Sequence, residues 1–145
     1  GVEHAIVSAG GDSRLVGDRR GYPWMVGIRD PRNDGQVAIS VPLEDEAIST
    51  SGDYERYFEE DGIRHHHIIS PNTGAPASGV HSATVFGPDA VITDALSTSV
   101  FVMGVDHGLR LIATLPDYES IVIDDQGRIF YSDGLQQPEA QDLDR

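Results

Sequence analysis

Apolar and polar residues alternate with a period of two over most of the chain, and that period lengthens once. Gln36 to Leu43 is the clearest case: Val37, Ile39 and Val41 fall on one side, and Ala38, Ser40 and Pro42 on the other. Such alternation marks a half-buried strand. Comparable short runs predict strands at His4 to Ser8, Pro23 to Arg29, Glu46 to Thr50, Val80 to Phe86, Tyr118 to Ile123 and Arg128 to Tyr131. Arg14 to Tyr22 is polar and contains glycine, so it reads as a connection. Asp30 to Gly35, rich in Pro, Asn and Gly, reads as a loop. Tyr54 to Phe58 and Ile63 to Ile69 read as the two strands of a hairpin, joined by the Asp61-Gly62 turn signal. Along its second strand His65, His67 and Ile69 point one way, and His66, Ile68 and Ser70 the other. Pro71 ends that strand, and Asn72-Thr73-Gly74 is turn chemistry.

The longer period begins after Gly87-Pro88-Asp89. Asp89 is a good N-cap, and its charge suits the positive end of a helix dipole. The pattern predicts a helix from Ala90 to Met103, stopped by Gly104, and a second from Asp106 to Thr114, ended by Pro116. The expected fold is therefore α+β: a mostly antiparallel sheet built from hairpins, with two consecutive helices packed on one face. No repeat or linker divides the 145 residues, so residues 1–134 form one domain, followed by a polar, acidic and flexible tail at 135–145.

Composition narrows the function. The formal charge is −14, and all 10 basic residues are arginine. That surface repels nucleic acid and anionic membrane, so neither is an expected partner. Cysteine is absent, which removes disulfides, thiolate metal sites and a cysteine nucleophile. No apolar run approaches the roughly 20 residues of a membrane helix. Gly1 opens on no signal-peptide pattern, and the first residues already read as a strand, which suggests a cut point there.

Three stretches carry candidate chemistry. Ala9-Gly10-Gly11-Asp12 is either a plain turn or a place where backbone approaches a ligand closely; it is not a Walker loop, because no Gly-Lys-Ser/Thr follows. His65-His66-His67 cannot easily meet one ion, since neighbouring strand residues face opposite sides; one functional histidine with two structural neighbours is the economical reading. His4, His81 and His107 read as structural, and Trp24 as a packing residue. On the first helix Asp94, Ser97 and Thr98 sit at i, i+3 and i+4, on one face. A carboxylate and a hydroxyl one turn apart are hard oxygen ligands of the kind magnesium takes, although a solvated polar stripe looks the same in sequence.

Taken together, four stretches resemble the ApbE family of FAD:protein FMN transferases. They are Ala9-Gly10-Gly11-Asp12, Ser49-Thr50-Ser51-Gly52-Asp53-Tyr54, His67-Ile68-Ile69-Ser70-Pro71-Asn72-Thr73-Gly74, and Thr93-Asp94-Ala95-Leu96-Ser97-Thr98. Order and spacing fit as well, and the resemblance covers Gly1 to Gly134. It implies magnesium-dependent transfer of FMN from FAD to a threonine or serine hydroxyl of a target flavoprotein, with release of AMP. The acceptor it implies is a flavoprotein such as a subunit of a membrane redox pump, on the extracytoplasmic side of a bacterial cell membrane. Some relatives instead hydrolyse FAD to FMN and AMP. By the same resemblance Asp94 and Thr98 match magnesium ligands, and His67 matches the histidine that assists the acceptor hydroxyl or positions the phosphate. Gly10, Gly11, Asp12, Ser51, Gly52, His67 and Thr73 match the segments around FAD. Two departures stand out. Ser70 replaces a common Asp, and family chains are about twice as long, so this chain resembles their C-terminal half with the N-terminal half as a further partner. A non-catalytic FAD-binding module and an inert fragment are the competing readings.

Overall fold

The structure, a computed structural model, describes residues 1–135, so the predicted tail lies outside the described residues from position 136 onward. In chain order the strands are β1 (Ala5–Ala9), β2 (Asp12–Val16), β3 (Trp24–Arg29), β4 (Val37–Leu43), β5 (Ala47–Gly52), β6 (Tyr57–Glu60), β7 (Ile63–His66) and β8 (Val80–Gly87). The helix α1 (Ala90–Ile112) follows, then β9 (Glu119–Asp124) and β10 (Ile129–Tyr131). Six strands form one sheet in the order β1-β2-β5-β8-β9-β10, with every neighbouring pair antiparallel. The hairpins β3–β4 and β6–β7 stand as separate two-stranded sheets.

Alternation along the central strands sorts the core onto two faces. Ala83, Val85 and Val122 pack with Val100, Phe101 and Ile112 of α1. Phe86, Ile121, Leu15 and Ile48 point the other way and pack with Ile28, Val41 and Leu43 of the β3–β4 hairpin. A helix thus covers one side of the sheet and a hairpin the other, so both faces exclude water.

The expected α+β, antiparallel architecture is present, with one correction. Among the described residues there is one helix, not two consecutive helices. Gly104 breaks the helical dihedrals, at φ 78° and ψ 175°, but helical backbone resumes at once and no loop separates the halves. Glycine tolerates that conformation without a Cβ clash, so the signal read as a stop became a kink. The start of α1 is as expected: Asp89 Oδ1 accepts from the Val91 and Ile92 N–H groups at 2.8 and 3.2 Å.

Strand boundaries moved where side chains found other partners. β2 runs from the glycine turn into the stretch read as a connection, over Arg14 to Val16; its sequence is polar, only Leu15 is buried, and pairing with β1 and β5 makes it a strand. β6 begins at Tyr57, because Asp53 to Arg56 form a turn. β7 ends at His66, beyond which Ile69 makes only an isolated bridge to Pro76.

Candidate functional site

Four segments converge at one end of the sheet. The β1–β2 hairpin turns on Gly10 and Gly11, with φ of 66° and 108° between the paired Ala9 and Asp12. Two positive φ values fit the mirror-image turn that the twist of a two-residue hairpin favours. The end of β5 supplies Thr50, Ser51 and Gly52, the base of the β6–β7 hairpin supplies Glu55, Arg56 and His67, and α1 supplies Asp94 and Thr98. Together with Gly10, Gly11 and Asp12 they line a cleft of about 410 Å³.

The three adjacent histidines go three ways. His66 is buried, donates from Nε2 to Ala77 O at 2.9 Å and meets the Phe101 ring edge-on at 5.5 Å. His65 stacks on Phe58 at 5.0 Å. His67 reaches the cleft, where its backbone N–H and its Nδ1 lie 3.1 and 3.2 Å from Arg56 O. A carbonyl only accepts, so Nδ1 carries the proton and the neutral ring keeps the lone pair on Nε2.

The helix docks on β5 through hydroxyl pairs. Ser49 Oγ and Thr93 Oγ1 are 2.9 Å apart, and Ser51 Oγ is 2.9 Å from both Ser97 Oγ and Thr98 Oγ1. Proton counting fixes the directions. Ser97 donates to Asp94 O, so it accepts from Ser51. Ser51 has then spent its one proton, so Thr98 donates to Ser51. The Thr98 oxygen is left with acceptor capacity, one turn from the exposed Asp94 carboxylate. That pair fits a hard divalent cation completed by water and substrate oxygens. Among the described residues no three His, Asp or Glu side chains gather as an ion cage.

Of the residues singled out by sequence, Gly10, Gly11, Asp12, Ser51, Gly52, His67, Asp94 and Thr98 all line the cleft. Thr73 does not: its hydroxyl accepts from Ala75 N at 3.3 Å and holds the turn after β7. Sequence reading passed over Thr50, Glu55 and Arg56, whose one signal was their place beside Ser51-Gly52. Next to the cleft, burial first and the negative charge of Glu55 second push the Tyr54 hydroxyl up to about 12.

The sequence matches the ApbE family over residues 1–122. The chain belongs to the ApbE family. It is 38% identical to the FAD:protein FMN transferase of Treponema pallidum, over 92% of this chain and 40% of that protein. The enzyme of the same name from Vibrio cholerae is 43% identical, over 77% of this chain and 34% of that one. Among solved structures, the ApbE protein of Thermotoga maritima superposes with a TM-score of 0.82 at 43% identity, covering 90% of this chain and 43% of that one. The flavin transferase ApbE of Vibrio cholerae gives 0.70 at 36% identity, with the same coverages. This ApbE chain therefore spans well under half the length of the relatives it matches.

Proposed function

We propose that this ApbE chain is the metal- and FAD-binding portion of an FAD:protein FMN transferase. In this reading it moves FMN from FAD to a threonine or serine hydroxyl of a target flavoprotein and releases AMP. The observation that carries the proposal is the single cleft, in which a glycine turn, a histidine with a free Nε2 and an unshared oxygen pair meet. The relatives' shared name supports flavin transfer, and the family's setting suggests an acceptor in a membrane redox pump, on the extracytoplasmic side.

Each residue has a chemical part. The Gly10-Gly11 turn and Gly52 allow backbone to approach the dinucleotide. His67 Nε2 accepts the proton of the acceptor hydroxyl as its oxygen bonds to the FMN phosphorus. The bond from that phosphorus to the bridging oxygen breaks, and AMP leaves with that oxygen. Arg56 O keeps the imidazole turned for this transfer through the Nδ1 hydrogen bond. Asp94 and Thr98 are the proposed holders of magnesium, which when bound neutralises diphosphate charge against a protein of net charge −14.

Titrating FAD into the protein by flavin fluorescence, with and without magnesium, tests the cofactor reading. Magnesium-dependent saturation is expected. Asp94→Ala should weaken it roughly 10- to 100-fold, about 1.4–2.8 kcal/mol. An Asp94→Ala protein with unchanged magnesium dependence would reject the metal assignment. Covalent flavin on an acceptor, seen as a fluorescent band on a denaturing gel, separates transfer from binding alone.

A further inference from the structure

Asp53 stands between Ser51-Gly52 and Glu55-Arg56, all of which line the cleft, yet Asp53 itself does not line it and is only 6% exposed. A carboxylate that buried needs opposite charge and hydrogen bonds. Three elements supply them. Arg32, from the β3–β4 loop, donates through Nη1 to Oδ1 at 3.0 Å and through Nη2 to Oδ2 at 2.7 Å. This two-pronged pairing is the strong, direction-fixing form of an ion pair. His81 on β8 places Nδ1 2.9 Å from Oδ2 and against the Arg32 guanidinium, so the three side chains meet at one point. Arg64 on β7 brings Nη1 to 3.8 Å from Oδ1. The Asp53 N–H also donates to His81 O at 3.1 Å.

The cluster fixes the base of the β6–β7 hairpin. A lone two-stranded hairpin is marginal, and β6 is exposed along its whole length. Something outside the hairpin must hold it. Asp53 anchors the turn that enters β6, and Arg64 ties β7 to the same carboxylate. Arg29 reinforces that turn with an ion pair to Glu55 at 3.6 Å. Between these anchors lies Arg56 O, the acceptor that orients the His67 ring.

We propose that Asp53 is a positioning residue for His67: by tying the Asp53–Arg56 turn and β7 to Arg32 and His81, its carboxylate sets the carbonyl against which the His67 imidazole is turned. Its consequence for flavin transfer rests on the function proposed above; the positioning itself does not.

Nitrogen-15 spectra of the imidazoles test it on this chain, without flavin. Two variants are needed, Asp53→Asn and Arg64→Met, with His66 as internal control because its ring is buried against Phe101 and its Nε2 is held by Ala77 O, a partner outside the hairpin. In both variants the ratio of Nδ1–H to Nε2–H tautomer at His67 should fall by roughly fivefold, the scale of one weakened hydrogen bond. The His66 signals should stay in place. His67 unchanged in the folded variants would overturn the proposal, and so would equal changes at His66 and His67, which report general loosening. If Asp53→Asn does not fold, Arg64→Met decides on the same two outcomes. A protein that never transfers flavin would leave this result standing on its own.

Discussion

Replacing Gly52 with alanine probes the wall of the cleft at its tightest point. An added Cβ would lie 2.5 Å from Tyr54 Cε1, 2.8 Å from Cζ and 3.0 Å from Cδ1. Carbon atoms do not sit that close, so the phenol ring must move away from β5. Overpacking of this kind costs about 1–3 kcal/mol. For a domain of this size that lowers the melting temperature by roughly 3–12 °C. A second readout is independent of the first. In the native protein burial first, then Glu55, raises the Tyr54 hydroxyl to about 12 from its ordinary 10.0. The folded state therefore keeps a proton that the unfolded state loses. The resulting stability is full below about pH 10 and is lost as pH rises towards 12. Because the ring is partly open to solvent, the effect is about 1 kcal/mol rather than the full value of the shift. Gly52→Ala should bring Tyr54 back towards 10 and flatten that alkaline decline. Thermal unfolding at neutral pH and the ultraviolet titration of tyrosinate measure both, with Tyr54→Phe identifying the Tyr54 component. A Gly52→Ala protein that melts within about 1 °C of the native one, with its Tyr54 titration unmoved, would refute the steric argument.

Two further substitutions separate chemistry from packing. His67→Ala should leave FAD affinity within about threefold and slow flavin transfer by roughly 10²–10⁴-fold, the usual range for a lost general base; an unchanged rate removes His67 from the mechanism. Phe101→Ala empties a fully buried site beneath His66 and should cost about 3–5 kcal/mol in urea unfolding. A loss below about 1 kcal/mol would mean that the helix face of the core collapses to fill the space.

The strands most legible in sequence are those whose side chains alternate between two dry faces, or between one dry face and water. β4 and β9 are of this kind. β2 was invisible because its pattern is polar and its strand character comes from neighbours that no local window contains. Gly104 was read correctly as a break in helical backbone, but whether a break becomes a loop or a kink is decided by what lies beyond it. Here Ile112 is fully buried and packs into the same cluster as Val100 and Phe101, so the second half of the helix stays on the sheet. The site was legible in its motifs and not in its charges. Glu55 and Arg56 line the cleft beside Asp53, which was read as part of a corner and turns inward to Arg32 and His81, 21 and 28 residues away.

The helix and the cleft are one construction. Aliphatic side chains hold most of α1 to the sheet, but along β5 serine and threonine take their place. Small side chains let strand and helix approach closely, and each buried hydroxyl must then find a partner. The strand serines satisfy this by donating into the helix: Ser49 to Thr93 and Ser51 to Ser97, each of which donates onward to a helix carbonyl. The same order leaves Thr98, the last hydroxyl of the series, donating to Ser51 with its oxygen unspent beside Asp94. With no hydroxyl at position 51 the Thr98 proton would lose its acceptor and be free to turn towards the cleft. The polar seam therefore does more than join two elements, because its proton order leaves the Thr98 oxygen as an acceptor on the wall of the cleft, one turn from the Asp94 carboxylate.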